Sequence, residues 1–251
     1  MRFVFVLFIV GALGMAAPVG GAAAQDLPVY LQDRGEGVTT SLFGTYVRGG
    51  ELLFYPFYEY YSYSDEPYTG ADLGVSTNTV PYAGKLHIHE GLLFLAYGLT
   101  EDFAIEIESK FWERAELDRA SADTTSGLPS GGYSESMSFG GLQGQLRWRF
   151  ARETATSPEM YTWVEIDHPL ADEKRFVGSA GWEGALGVGI VKGFSWGTIT
   201  PRISLGYEST DKSFVVGEWA VEYLKRLSEG IRLVATVEGN GAKNVALVGE
   251  L

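Results

Sequence analysis

Residues 103–114 read FAIEIESKFWER. Taken alternately, Phe103, Ile105, Ile107, Ser109 and Phe111 fall on one side, and Ala104, Glu106, Glu108, Lys110, Trp112 and Arg114 on the other. A repeat of two is that of a β-strand, whose successive side chains point to opposite faces. A soluble sheet over a protein core and a membrane barrel both give this pattern, so these residues predict a strand without deciding what surrounds it.

Working outward, the signature recurs. Leu142, Gly144, Leu146, Trp148 and Phe150 alternate with Gln143, Gln145, Arg147 and Arg149, and Ile199, Pro201, Ile203, Leu205 and Tyr207 alternate with Thr200, Arg202, Ser204, Gly206 and Glu208. Ten segments read as strands: 51–63, 85–99, 103–117, 136–150, 159–168, 180–192, 198–208, 214–227, 231–239 and 244–251. Several exceed the roughly 9 to 11 residues that cross a bilayer as a tilted strand. Tight links (100–102, 193–197, 228–230, with 151–158 of medium length) alternate with longer ones (64–84, 118–135, 169–179, 209–213, 240–243), the rhythm of an outer-membrane barrel with short periplasmic turns. The expected fold is therefore all-β, an antiparallel up-and-down transmembrane β-barrel with ten strands visible. Pro56 and Pro201 each lack a ladder donor and are expected at bulges or strand ends.

The rest of the chain fits export. Arg2, the apolar run 3–13 and Ala22-Ala23-Ala24 have the three parts of a secretory signal, giving a signal over 1–24 with cleavage before Gln25. Residues 25–50 alternate weakly and are expected to form a periplasmic or lumen-entering segment ahead of the barrel, 51–251. With no Cys, no disulfide is possible, so stability comes from burial and backbone pairing. A net charge of -13, one unit more negative once Arg2 is removed, argues against a nucleic-acid partner. The 14 Phe, 14 Tyr and 6 Trp supply rings for a membrane-interface belt.

Charged side chains opposite an apolar face must meet water or each other, because facing lipid at mid-depth costs about 2 to 4 kcal/mol for Arg or Lys. Glu106, Glu108, Lys110, Arg114, Arg147, Arg149, Glu165, Asp167, Arg202, Glu218, Glu222, Arg232 and Glu238 are accordingly expected to line the lumen, either as a hydrated selective pore or as ion pairs that close it. His87 and His89 share a strand face and read as polar lumen residues; a metal pair is the alternative and would need a third ligand. No G-x-S-x-G elbow marks a nucleophile among the Ser residues and His87, His89 and His168, so no catalytic residue, cofactor or metal is assigned. The run Phe54-Tyr55, Phe57-Tyr58, Tyr60-Tyr61 and Tyr63 reads as interfacial girdle, with a ligand platform as the alternative.

At Tyr97-Gly98-Leu99-Thr100-Glu101-Asp102 and at Gly140-Gly141-Leu142-Gln143-Gly144-Gln145-Leu146-Arg147-Trp148-Arg149-Phe150 the chain resembles transporter-type outer-membrane barrels, above all the outer-membrane family linked with phenol-degradation (MetA) pathways. The resemblance covers about residues 51–251. It implies a passive channel for small solutes, aromatic or hydrophobic ones among them, and brings no catalytic residues. It also implies a last strand ending in an aromatic residue that the barrel-assembly machinery reads. This chain ends Gly249-Glu250-Leu251, which leads to the expectation of a further C-terminal hairpin and twelve strands in all. Outer-membrane lipid, the assembly machinery and a small solute are the expected partners. The rival readings are a closed structural or adhesive barrel, whose acidic loop residues Asp65, Glu66, Asp72, Asp118 and Asp123 bind a surface partner or divalent cations, and a membrane-embedded lipid-modifying enzyme.

Overall fold

The computed structural model describes residues 3–5, 27–125, 127–130, 132–171, 174–179, 181–210, 213–228, 231–240 and 244–250. Three short strands come first: β1 (Phe3–Phe5), β2 (Val38–Thr39) and β3 (Tyr46–Val47). Ten longer ones follow: β4 (Leu52–Tyr68), β5 (Tyr82–Gly98), β6 (Phe103–Asp118), β7 (Tyr133–Ala151), β8 (Glu159–Pro169), β9 (Glu183–Phe194), β10 (Gly197–Glu208), β11 (Ser213–Arg226), β12 (Arg232–Asn240) and β13 (Asn244–Glu250). Each of the ten pairs antiparallel with the next, so one 11-stranded sheet runs β1, then β4 through β13. The all-β, up-and-down architecture read from the alternation is thus the observed one. Among the described residues no helix is long and apolar enough to cross a membrane.

The sheet curls into a half-barrel. A short stretch of chain within residues 39–44 reaches β6, β7, β11 and β12 through Glu106, Arg147, Glu222 and Arg232, which requires those strands to converge around it. At the two ends of the sheet, β1 pairs with Tyr60–Ser62 of β4 and also comes within 8 Å, Cα to Cα, of β13. Apart from Phe3–Phe5, the expected signal over 1–24 lies outside the described residues, as does Leu251.

Burial alternates along the strands as the sequence does. On the convex face Leu52, Phe54, Ile105, Ile107, Leu146, Val164, Ile166, Leu186, Val188, Ile203, Leu205 and Val221 are exposed. Soluble monomers rarely show so continuous an apolar surface. Aromatic rings bound this band. Near the tight turns Phe103 stacks on Trp148, with ring centroids 5.7 Å apart, and Phe194 on Trp196 at 5.0 Å. Toward the long-loop end stand Phe111, Trp112 and Phe139, with Trp182 and Phe214 flanking Tyr207 at 5.2 Å each. From Phe103 to Phe111 is about 27 Å along a strand, or roughly 20 Å of depth at the tilt barrels adopt.

A bulge resets the alternation in β6. Gly91 of β5 faces Trp112 while Leu92 faces Lys110, leaving Phe111 as an extra residue. On the β7 side, Phe139 and Gly140 are inserted opposite, and Phe139 takes a φ of 54°, the left-handed region that a side chain disfavours. Inserting one residue exchanges the two faces beyond it. Hence Glu113, Ala115 and Leu117 turn inward, and Trp112 and Arg114 turn outward. The expectation that Arg114 lines the lumen is corrected: its side chain is 49% exposed on the convex face and pairs with Glu116 at 2.6 Å.

The two prolines are also placed differently from expectation. Pro56 lies within β4, at a level where only β5 flanks it. Pro201 sits in mid-strand opposite Val221, and the ladder to β9 is interrupted between Ile199 and Arg202. On the concave face of β9, Gly187 and Gly189 leave room that the rings of Trp163 and Tyr161 fill. Strand lengths are unequal: β4 to β7 have 17, 17, 16 and 19 residues, whereas β8 to β10 have 11, 12 and 12. Pro169 at the end of β8 faces Gly141, so β7 continues from Gly140 back to Tyr133 with no β8 partner.

Candidate channel interior

The concave face holds three zones in succession. At the tight-turn end, residues 27–50 form a plug. Val38 and Val47 bury against Phe94, Ala96 and Ala104, while Tyr46 packs on Leu224 and Val234. Gly37 has a φ of 123°, and a side chain there would come within 2.7 Å of the Val47 carbonyl, so the plug's tight fold requires glycine at this position.

Ion pairs anchor the plug to the wall. Arg34 meets Glu159 at 2.9 Å and Glu153 at 3.2 Å, all three buried. Burial works against the Arg34 charge, but Glu159 first, then Tyr46 and Glu153, outweigh it and hold the guanidinium above its ordinary value. Glu106 accepts from the Ser41 amide at 2.9 Å and hydroxyl at 2.6 Å, and pairs with Arg147 at 2.8 Å. Arg147 in turn lies 5.7 Å over the Tyr161 ring and 5.4 Å over Trp163. Arg149 donates to the Gly37 carbonyl at 2.6 Å and meets Glu159 at 3.3 Å. Arg232 donates to the Gly44 carbonyl at 3.0 Å, and Glu222 accepts from the Gly44 amide at 3.3 Å. Asp33 pairs with Lys225 at 3.1 Å. In the turn below, hydrogen bonds from Arg152 and then Arg149 hold Asp102 below the usual carboxylate range.

The middle zone is carboxylate-rich. Glu59, Glu90, Glu108, Glu113, Glu165, Asp167, Glu218 and Glu238 share this face with the cations Lys110 and Arg202. Lys110 lies 2.9 Å from Glu90 and 4.0 Å from Glu113, and Arg202 rests 5.5 Å over the Phe43 ring. At the long-loop end the third zone is an apolar cap, in which Leu73, Leu128 and Val177 from three loops bury against Tyr68, Leu86, Ala115, Leu117 and Met137. Asp123 secures this cap, accepting from Tyr68 and from the Thr125 amide, each at 2.7 Å.

Of the residues expected to line the lumen, Glu106, Arg147, Arg149, Glu222 and Arg232 hold the plug, whereas Glu108, Lys110, Glu165, Asp167, Arg202, Glu218 and Glu238 belong to the middle zone. Arg114 alone is on the other face. His87 and His89 are also placed outward, contrary to the lumen expectation. They bond Tyr60 (2.6 Å) and Tyr58 respectively on the convex face, just beyond the upper aromatic ring. Around Leu92 to Tyr97 both faces of β5 are apolar, so alternation gave no sign of which faced inward. The aromatic run of β4 divides: Phe54, Tyr58 and Tyr60 share the outward phase, and Tyr55, Phe57, Tyr61 and Tyr63 the inward one. Arg34, Glu153, Glu159, Glu90 and Glu113 were missed. Glu113 was assignable only by knowing the bulge; Glu153 lies in a turn, Arg34 in weakly patterned chain and Glu90 on β5, whereas Glu159 opens β8 in phase with Glu165 and Asp167 and was readable from the alternation. Among the described residues no group of three or more His, Asp or Glu is placed to hold a metal ion.

Comparison of the sequence with protein-family models and with curated proteins finds no match.

Proposed function

We propose that the protein is an outer-membrane channel for the passive movement of small solutes, exported by its N-terminal signal, set in lipid by the assembly machinery and closed at the periplasmic end by residues 27–50. The observation that carries this reading is the convex band of exposed apolar side chains between two aromatic rings, wrapped around a charged concave face. A solute path needs water or fixed charge inside and grease outside, and this sheet has both. Aromatic or hydrophobic solutes fit the resemblance at residues 97–102 and 140–150. The excess of carboxylates in the middle zone favours cations among charged solutes.

Planar-bilayer recording of the full-length mature protein tests the reading. Discrete conductance steps with a reversal potential on the cation side are expected, shifting toward neutrality in Glu108→Gln/Glu165→Gln; silent membranes containing correctly folded protein would count decisively against a channel. A second reading, a closed structural or adhesive barrel, draws on the filling of both ends by plug and cap. Asp123 takes no part in surface binding there, because its side chain is fully buried. Solute uptake into liposomes separates the two.

A further inference from the structure

The apolar cap draws on three loops, and one of them comes from strands too short to reach it. β8 ends at Pro169 and β9 begins at Glu183, so neither makes a wall at the height of the cap. Residues 174–179, which lie between them in the chain, lean across to β7, β6 and β4.

Two carboxylates hook this strap. The Phe176 amide donates to Glu135 of β7, and the Gly178 amide donates to Glu113 of β6 at 3.0 Å. Between the hooks Val177 is buried in the cap, in the cluster that holds Leu117 and Met137. Gly178 has a φ of 85°, which glycine adopts without strain. Tyr133 braces the outer hook, its hydroxyl donating to Glu135 at 3.0 Å and its ring meeting the Phe176 ring edge-on at 6.2 Å. Lys174 Nζ donates to the Ser136 carbonyl at 2.6 Å, and Arg175 to the Pro67 carbonyl of β4 at 3.3 Å.

Side chains therefore fasten the strap to the wall. Among the described residues its one backbone-to-backbone hydrogen bond is internal, from the Lys174 amide to the Val177 carbonyl at 2.9 Å. A segment held in this way can lift as a unit without unpairing any strand, and openings of that kind cost least. The fastening is also tied to the interior, because Glu113 is at once a hook and, 4.0 Å from Lys110, a member of the middle zone.

We propose that residues 174–179 are the gate of the outer mouth. Seated on Glu113 and Glu135 they shut it above the short strands β8 and β9; detached, they admit small solutes to the middle zone. The inference rests on the channel reading above.

Full-length mature protein in planar bilayers, with hydrogen exchange alongside, tests it. Glu135→Ala deletes one hook and leaves the middle-zone carboxylates untouched. Exchange at residues 174–179 should speed up about tenfold, and the ratio of open to closed time should rise by a similar factor. The opposite manipulation fixes the strap down. The chain has no Cys, so Ser136→Cys/Lys174→Cys offers two thiols that a short reducible bismaleimide joins. Linking should abolish most of the conductance and reduction should restore it, which decides the matter alone if Glu135→Ala lacks the folded, heat-sensitive gel band. Conductance that persists with the strap linked, or folded Glu135→Ala with unchanged exchange or unchanged open time, overturns the gate and leaves the channel reading standing. Silence of every form, Glu113→Ala/Glu135→Ala included, takes away both.

Discussion

At the residue scale, the plug depends on Arg34. Glu153 and Glu159 are both buried around it, and removing one partner of such an arrangement strands charge in a medium that solvates it poorly. Arg34→Ala should weaken the seat by about 3–5 kcal/mol, read as longer open times in bilayers and as new protease cleavage within 27–50; unchanged gating and cleavage would mean the apolar contacts of Val38 and Val47 suffice. Asp123 sets a pH dependence at the opposite end. Burial alone would raise its carboxyl, but hydrogen bonds from Thr125 and Tyr68 and the charge of Arg119 hold it below the ordinary aspartate value. A depressed carboxyl stabilises above its unfolded value, near 3.9, and that contribution is lost as pH falls through the still lower folded value. The cap should therefore stay protected from hydrogen exchange at pH 5 and open well below pH 4. Asp123→Asn, exchanging fast at every pH, is the expected contrast.

At the element scale, strands announce themselves because a period of two survives wherever one face is apolar and the other is not. That is why all ten were legible, β6 and β7 most plainly. Phase is more fragile. One inserted residue at Phe111 exchanges the faces beyond it, and no local feature of Phe111-Trp112 distinguishes bulge from regular pleat, so Arg114 was assigned to the wrong side and Glu113 overlooked. The plug was illegible for another reason: β2 and β3 have two residues each, and what holds 27–50 in place are partners far along the chain, such as Glu106 for Ser41, 65 residues on. Packing on β9 gives a direct test. Gly189→Val should push the Tyr161 ring out from beneath Arg147 and cost about 1–3 kcal/mol, measured by urea unfolding in lipid. Gly144→Val, on the convex face with nothing within 4 Å of a new Cβ, should be close to neutral.

At the scale of the whole molecule, the apolar convex band, read as lipid-facing in the proposal above, leads to the expectation that the protein needs detergent or lipid to stay in solution. The purified mature chain should run faster on gels unboiled than boiled, the behaviour of a curled, paired sheet that resists the detergent; identical mobility, together with solubility in plain buffer, would overturn the membrane reading. On the membrane reading proposed above the two aromatic rings would set the depth, and the unequal strands then acquire a meaning. Above the upper ring β6 continues from Glu113 to Asp118 and β7 from Gly140 back to Tyr133, while β8 stops level with the ring at Pro169. The mouth is thus fenced by a high palisade on one flank and crossed by a low sill on the other. On the outer-membrane reading proposed above, large visitors such as antibodies should grip the palisade first and find only the loops of the cap over the sill.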